Sequence, residues 1–249
     1  MKKIQQLGIQ SFCFRTLKDA SELCPVLKDL GLNRLEVCAV HADFNDLPAW
    51  EQEVAIYKNH GIDVISIGVQ TFTGDEAERT WFEAAALAGA RHISAHFKVD
   101  SFTRAVPQVQ TWCREFGIDI GIHNHGGYSF GGQPDVLRHL FELGGPEIGL
   151  CLDTAWCQQI GPQFGNPVEW VKEFGPHLKA YHLKDFAFER NGQFVDSVIG
   201  EGTIDLEAFI EALDQVGFSG LAILEYEGNP KDPVPDIRRC LDVLAPYRE

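Results

Sequence analysis

A chain of 249 residues can bury a sizeable core without disulfide or metal staples. Its 21 Lys and Arg stand against 36 Asp and Glu, a net charge of −15, which argues against polyanionic partners. Nucleic-acid affinity comes mainly from cationic side chains that displace counterions, and anionic membrane surfaces repel an acidic protein for the same reason. Small neutral or metal-bound ligands are therefore expected, with no nucleic acid and no membrane. The seven cysteines, Cys13, Cys24, Cys38, Cys113, Cys151, Cys157 and Cys240, are odd in number and widely spaced, with no CxxC pair. They predict free thiols in a reducing compartment rather than a disulfide framework or a cysteine zinc site. The opening Met-Lys-Lys-Ile-Gln-Gln-Leu-Gly lacks an apolar signal core, and no apolar run reaches spanning length, so a cytoplasmic location is expected.

Along the chain one phrase recurs: a helical stretch ends in Gly, an apolar residue follows, then a short β-branched run. Gly31, Gly61, Gly89, Gly117 and Gly217 precede the runs 34–37, 64–69, 92–97, 119–123 and 221–225. Glycine suits a left-handed helix end because it has no Cβ to clash. Runs 7–12, 148–153 and 178–183 keep the same beat, which makes eight predicted strands, with a longer gap before the last. Between them lie apolar stripes at helical spacing: Trp50, Val54 and Tyr57; Val106, Val109, Cys113 and Phe116; Leu206, Phe209, Ile210 and Leu213; Ile237, Leu241 and Leu244. Pro48, Pro134, Pro167 and Pro233 sit near helix starts, where the missing N–H costs nothing. Eight strand–helix units in about 250 residues predict an α/β fold, a single (β/α)₈ TIM-barrel domain over residues 1–249. An open doubly wound sheet would want a Gly-rich phosphate loop after the first strand, and Ser11-Phe12-Cys13-Phe14-Arg15 is not one.

Side chains of a barrel strand alternate between interior and helix layer. Ile118, Ile120 and Ile122 share the outward parity, so Asp119, Gly121 and His123 face inward; the same alternation turns Cys151 and Asp153, then Ala180, His182 and Lys184, and Ile223, Glu225 and Glu227 inward. The fifth to eighth strands thus each end in an inward ionisable residue: His123, Asp153, His182 and Glu225. Catalytic groups of such barrels gather at the C-terminal ends of the strands. Two imidazoles and two carboxylates there form a divalent-metal set suited to manganese, zinc, cobalt or iron. Taken singly, each has a plainer reading: Asp153 as a helix cap, a histidine as a hydrogen-bonded core residue, a strand-end Glu as solvated. Four at one depth on consecutive strands favour the joint reading. His125 shares the parity of His123, so parity leaves both as candidates for the imidazole at the fifth strand.

At these residues the chain resembles the xylose-isomerase-like barrel superfamily of sugar epimerases, sugar-phosphate isomerases, inosose dehydratases and the type IV abasic-site endonuclease. The motifs are His123-Asn124-His125-Gly126, Cys151-Leu152-Asp153-Thr154, His182-Leu183-Lys184-Asp185, Gly200-Glu201-Gly202-Thr203-Ile204-Asp205 and Leu224-Glu225-Tyr226-Glu227. The resemblance implies one divalent ion (manganese, magnesium, cobalt or zinc) held by a Glu, an Asp, a His and a second Glu, with Asp153, His182 and Glu225 in the last three places. The chain departs at the first Glu, where His123-Asn124-His125 stands, and at a frequent His three residues after the Asp, which is Trp156.

The implied function is a metal-dependent isomerase or epimerase of a small sugar or keto-sugar, by proton transfer α to a carbonyl through a metal-stabilised enediolate. With one Glu of the usual pair missing, the resemblance supplies only one of the two bases of a two-base epimerisation. Glu225 is the expected base, and Lys184, His96 or His125 the acid. The alternatives are a lyase that dehydrates a keto-inositol or keto-sugar, a DNA-repair enzyme, which the acidic charge disfavours, and a non-catalytic sugar-binding barrel. Substrate contacts are expected from His96, Glu36, Trp156 and Glu227, although Glu36 could instead pair with Arg34. Phe12, Phe72 and Trp156 either form an aromatic wall or pack in the core. Lys184-Asp185 is expected as an ion pair that orients His182, with Gly200 and Gly202 shaping a tight loop and Glu201 facing solvent. No basic cluster or glycine nest marks a phosphate site. A homo-oligomer is left open.

Overall fold

The computed structural model describes residue 4, residues 6–126 and residues 129–248. Half of the N-terminal stretch read above for a signal core, residues 1–3 and 5, therefore lies outside the described residues. Eight parallel strands close on themselves: β1 (Gly8–Gln10), β2 (Arg34–Cys38), β3 (Asp63–Phe72), β4 (His92–Phe97), β5 (Asp119–His123), β6 (Ile148–Asp153), β7 (Leu178–Leu183) and, as the eighth stave, β10 (Leu221–Leu224). Closure is made by β1, which pairs Gly8 with Ile223 on one side and Ile9 with Leu35 on the other. Around the sheet run α1 (Ala20–Asp29), α2 (Leu47–Asn59), α3 (Arg79–Ala88), α4 (Phe102–Phe116), α5 (Pro134–Gly144), α6 (Thr154–Gln159), α7 (Pro167–Phe174), α8 (Leu206–Gln215) and α9 (Val234–Leu244).

The five predicted glycine helix ends all adopt the left-handed region, with φ between 67° and 83°. The predicted stripes bury as expected: Trp50, Val54 and Tyr57 on α2, Leu206, Phe209, Ile210 and Leu213 on α8, Ile237, Leu241 and Leu244 on α9. Outward strand residues carry the main core. Tyr181 of β7, for example, packs edge-on against Phe209 of α8. No described helix is long and apolar enough to cross a membrane, and all seven cysteines are free and buried.

Two elements depart from expectation. The long gap before the eighth stave holds an antiparallel hairpin, β8 (Asp185–Phe188) paired with β9 (Phe194–Ser197). Its period-two pattern is short and lies at the mouth rather than in the barrel wall. The first stave is also shorter than predicted, because the chain turns into a 3₁₀ segment at Ser11–Phe14.

The barrel interior is unusually polar. Gln10, Glu36, Ser66, His92, Ser94, Cys151 and His182 are all buried there. Gly121 leaves room for this packing: a Cβ at that position would lie 2.4 Å from His92 Nε2 and 2.8 Å from Cys151 Cβ.

Candidate metal centre

Four ionisable side chains meet at the C-terminal mouth. His123 ends β5, Asp153 ends β6, His182 lies next to the end of β7, and Glu225 follows β10, its N–H bonded to Leu183 O at 3.0 Å. All four are buried, and one donor atom from each falls within 4.8 Å of the others. His182 Nδ1 lies 2.7 Å from Glu225 Oε2, and His123 Nε2 lies 3.4 Å from Asp153 Oδ2 and 4.0 Å from Glu225 Oε2. His182 Nδ1 and Glu225 Oε2 thus pair with each other, whereas His123 Nε2 and Asp153 Oδ2 make no hydrogen bond. Buried polar atoms left unbonded cost free energy, and here they converge on one point. Two imidazole nitrogens and two carboxylate oxygens so arranged fit a divalent ion. It is His123 that joins the group. His125 is half-buried in the cavity wall, its ring stacked on Trp156 at 3.9 Å.

Each member is held from behind. Asp153 is both cap and cluster member: Oδ1 accepts from Trp156 N at 2.8 Å at the start of α6, while Oδ2 faces His123. Asn124 clamps its backbone, donating to Asp153 O at 3.0 Å and accepting from Asp153 N at 2.8 Å. Thr154 Oγ1 donates to Lys184 O at 2.5 Å and receives Lys184 N at 3.0 Å, tying the ends of β6 and β7.

Glu36 requires a correction. Rather than reaching substrate or pairing with Arg34, it is fully buried beneath the cluster, where it accepts from Gln10 Nε2 at 2.9 Å, Ser66 Oγ at 2.6 Å and Ser94 Oγ at 2.5 Å. Its Oε1 lies 3.0 Å from His182 Nε2. Burial pushes this carboxyl up, but His182, His92 and the Ser66 hydrogen bond outweigh it and hold it well below the usual carboxylate range. A carboxylate at Nε2 leaves Nδ1 of His182 for the cluster, the arrangement that fixes the tautomer of metal-binding histidines. Glu36→Gln is expected to weaken divalent-metal binding about 10–100-fold while the chain stays folded, as read by competition with a chelator. An unchanged affinity would reduce Glu36 to barrel packing.

Lys184 is also placed differently from expectation. It does not pair with Asp185. Its ammonium bonds Glu225 Oε1 at 2.8 Å and Glu227, and lies 5.5 Å from the Trp156 ring and 5.6 Å from that of Phe186. Burial alone would lower its pKa, but Glu225, Asp153 and Glu227 raise it above the ordinary lysine range. It is therefore a fixed positive charge rather than a proton donor. Asp185 instead accepts four backbone N–H groups, from Gly200, Gly202, Thr203 and Ile204. Gly202 is required there, since a Cβ would lie 2.5 Å from Asp185 Oδ1. Glu201 pairs with Arg239 on the surface.

Above the cluster opens a cavity of about 340 Å³. Phe12, Val40, Val69 and Trp156 form its apolar side, and His96, His125 and Glu227 are among its polar groups. Of the proposed aromatic wall, Phe72 belongs to the core. Burial and the neighbouring imidazoles depress His96 to about 3, and His125 is lowered for the same reasons. Both are neutral near pH 7. Glu227 is raised, first by burial and then by the charge of Glu225, against the pull of Lys184.

Sequence reasoning missed Asn124, Thr154 and the Gln10–Ser66–Ser94 cradle. Asn124 sits inside the quoted His-Asn-His run, but only the fold shows that it faces the next strand.

Comparison with known proteins places these features in a family. Residues 24–247 match the xylose isomerase-like TIM barrel. Inosose dehydratase of Lacticaseibacillus casei is 24% identical over 56% of this chain and 52% of its own length. Ketose 3-epimerase of Arthrobacter globiformis is 24% identical over 74% of this chain and 59% of its own. The chain thus spans little more than half the length of these curated relatives. Among solved structures, that of IolI protein with a binding zinc atom superposes with a TM-score of 0.74 at 16% identity, covering 97% of this chain and 99% of the other, a likeness of fold. With the match running over nearly the whole barrel, the chain belongs to the xylose isomerase-like TIM barrel family.

Proposed function

We propose that this barrel is a divalent-metal-dependent isomerase or epimerase of a small sugar or keto-sugar, acting by proton transfer α to a carbonyl. The observation that carries the reading is the convergence of four buried donor atoms, with His123 and Glu225 of the set lining a cavity that also holds Glu227 and two neutral imidazoles. His123, Asp153, His182 and Glu225 would hold the ion, which when bound supplies a Lewis acid for a carbonyl and the adjacent hydroxyl oxygen. That relatives include a ketose 3-epimerase and an inosose dehydratase supports an enzyme of this kind.

Both oxygens of Glu225 are engaged, one by Lys184 and one by the cluster. The proton is therefore assigned to Glu227 rather than to Glu225. Its carboxyl faces the cavity, and a raised pKa brings it nearer the working pH of a general base. Lys184 holds this carboxylate in place, and His96 and His125 can exchange protons with substrate oxygens. A second reading, loss of water from a keto-sugar or keto-inositol, is favoured by one fact. Only one carboxylate is free to act, and β-elimination needs one base and one acid.

The test is solvent deuterium wash-in to a panel of ketoses and a keto-inositol, with manganese or zinc supplied. Exchange at carbon α to the carbonyl is expected, reduced about 10²–10⁴-fold in Glu227→Gln. An ultraviolet band of an unsaturated ketone would select dehydration. Absence of both from every member would sink the catalytic reading and leave a sugar-binding barrel.

A further inference from the structure

We infer that the cavity selects an uncharged keto-polyol, carrying neither phosphate nor carboxylate, whose less polar face lies on Trp156 and Phe12. The inference rests on the reading above only in placing the substrate over the four-residue cluster.

Binding a phosphate takes cationic side chains or a nest of free backbone N–H groups. Among the described residues Lys184 and Arg15 bond residues that line this cavity, and each gives hydrogen bonds to protein oxygens there. Lys184 is 1% exposed and is gripped by Glu225 and Glu227, with aromatic rings of Trp156 and Phe186 on its remaining sides. Arg15 gives Nη2 to the backbone carbonyl of Glu227 at 2.6 Å and Nη1 to that of Phe12 at 3.3 Å, and its plane lies 4.9 Å over the Phe12 ring. The four backbone N–H groups of the 200–204 loop converge on Asp185, so that nest is already filled. What remains facing the cavity is acidic, Glu225 and Glu227. A phosphate dianion would meet these carboxylates with Lys184 already shared between them, so among the described residues it would gain no cation beyond the ion that the cluster would hold, and the repulsion would be felt strongly in a site partly withdrawn from water.

The aromatic part of the lining suits a neutral, partly apolar ligand. Trp156 stacks on His125, while Phe186 and Phe194 of the hairpin meet its ring edge-on at 5.0 and 5.3 Å. A ring so buttressed is a rigid platform, and Phe12, Val40 and Val69 extend it. The volume of about 340 Å³ is at the small end of ligand pockets, the size for a single sugar ring or short open-chain ketose. Glu227 is thus a specificity residue as well as the proposed proton carrier: it keeps Lys184 from serving as a phosphate anchor.

The test is calorimetric titration of manganese-loaded protein with matched pairs, fructose and fructose 6-phosphate, ribulose and ribulose 5-phosphate, and with a keto-inositol. Inorganic phosphate serves as the control for direct contact with the ion. Each neutral ketose is expected to bind at least about tenfold tighter than its ester. Glu227→Gln should narrow that ratio several-fold by releasing Lys184 on one side, and Trp156→Ala should weaken the neutral ligands about tenfold. Trp156→Phe is expected to recover most of the binding, which separates a lost platform from a damaged fold. Esters that bind as tightly as the free ketoses, or no neutral ligand that binds at all, would overturn the inference. Selective binding of neutral ketoses with no deuterium exchange would leave it standing and refute the proton transfer instead.

Discussion

Asp153→Asn is expected to abolish metal retention while leaving the fold intact. Asp153 Oδ2 is the buried anionic donor opposite His123, and its Oδ1 caps α6 through Trp156 N. Asparagine keeps an oxygen for the cap and loses the charge at the cluster. The parent should carry about one ion per chain by elemental mass spectrometry, and the variant little. Its affinity should fall by more than the about 10–100-fold that an outer partner costs. Stability supplies a second signature. Without metal, the parent keeps an unbonded carboxylate oxygen in a fully buried residue, a group that costs about 1–3 kcal/mol or more. The metal-free variant should therefore be at least as stable as the metal-free parent in urea, and the order should reverse once manganese or zinc is added. A parent that takes up no metal from either salt would make the cluster structural, and the family likeness would then speak for the fold alone.

Lys184→Met is expected to destabilise the metal-free protein by about 3–5 kcal/mol, the usual cost of leaving a buried charge without its partner. The ammonium holds Glu225 and Glu227 together, and both lie at the mouth where water is scarce. Methionine fills similar space and supplies no charge, so the two carboxylates face each other directly. Urea denaturation at pH 7 measures the loss. Saturating manganese should return part of it, because an ion bound beside Glu225 replaces some of the missing positive charge. Lowering the pH toward 5 should also return part. Glu227 is already raised, and with Lys184 gone it takes up a proton more readily still. A loss below about 1 kcal/mol, the range of an exposed ion pair, would show that solvent reaches this triad far more than its burial indicates.

Much of this molecule is written in local pattern. The glycines at 31, 61, 89, 117 and 217 punctuate helix ends because a left-handed residue without Cβ is a local requirement. Parity along a strand is equally local, so His123, Asp153, His182 and Glu225 could be placed on one inner face from their neighbours alone. Parity could not choose between His123 and His125, which differ by one full period. Position decided that. His123 is the last residue of β5, whereas His125 lies beyond the strand, where the chain leaves the barrel and lays the ring on Trp156.

The partners of these side chains were beyond local reach. Glu36 is 146 residues from His182, and only barrel closure sets the two 3.0 Å apart. Lys184 stands next to Asp185 in sequence, yet it lies between β7 and β8, where the chain leaves the barrel wall and the two side chains part. Its charge therefore goes inward to Glu225 and Glu227, and Asp185 goes to the 200–204 loop. The hairpin that buttresses Trp156 left only a long gap as its sequence signal. The sequence alone thus determined the repeating strand–helix units and the set of ionisable residues on their inner face, because helix ends, strand period and turn chemistry act over a few residues. The tertiary structure decided which of those groups meet, which are neutralised by one another and which still face the cavity, because ion pairs and hydrogen bonds form between residues that only the closed barrel brings within 3 Å.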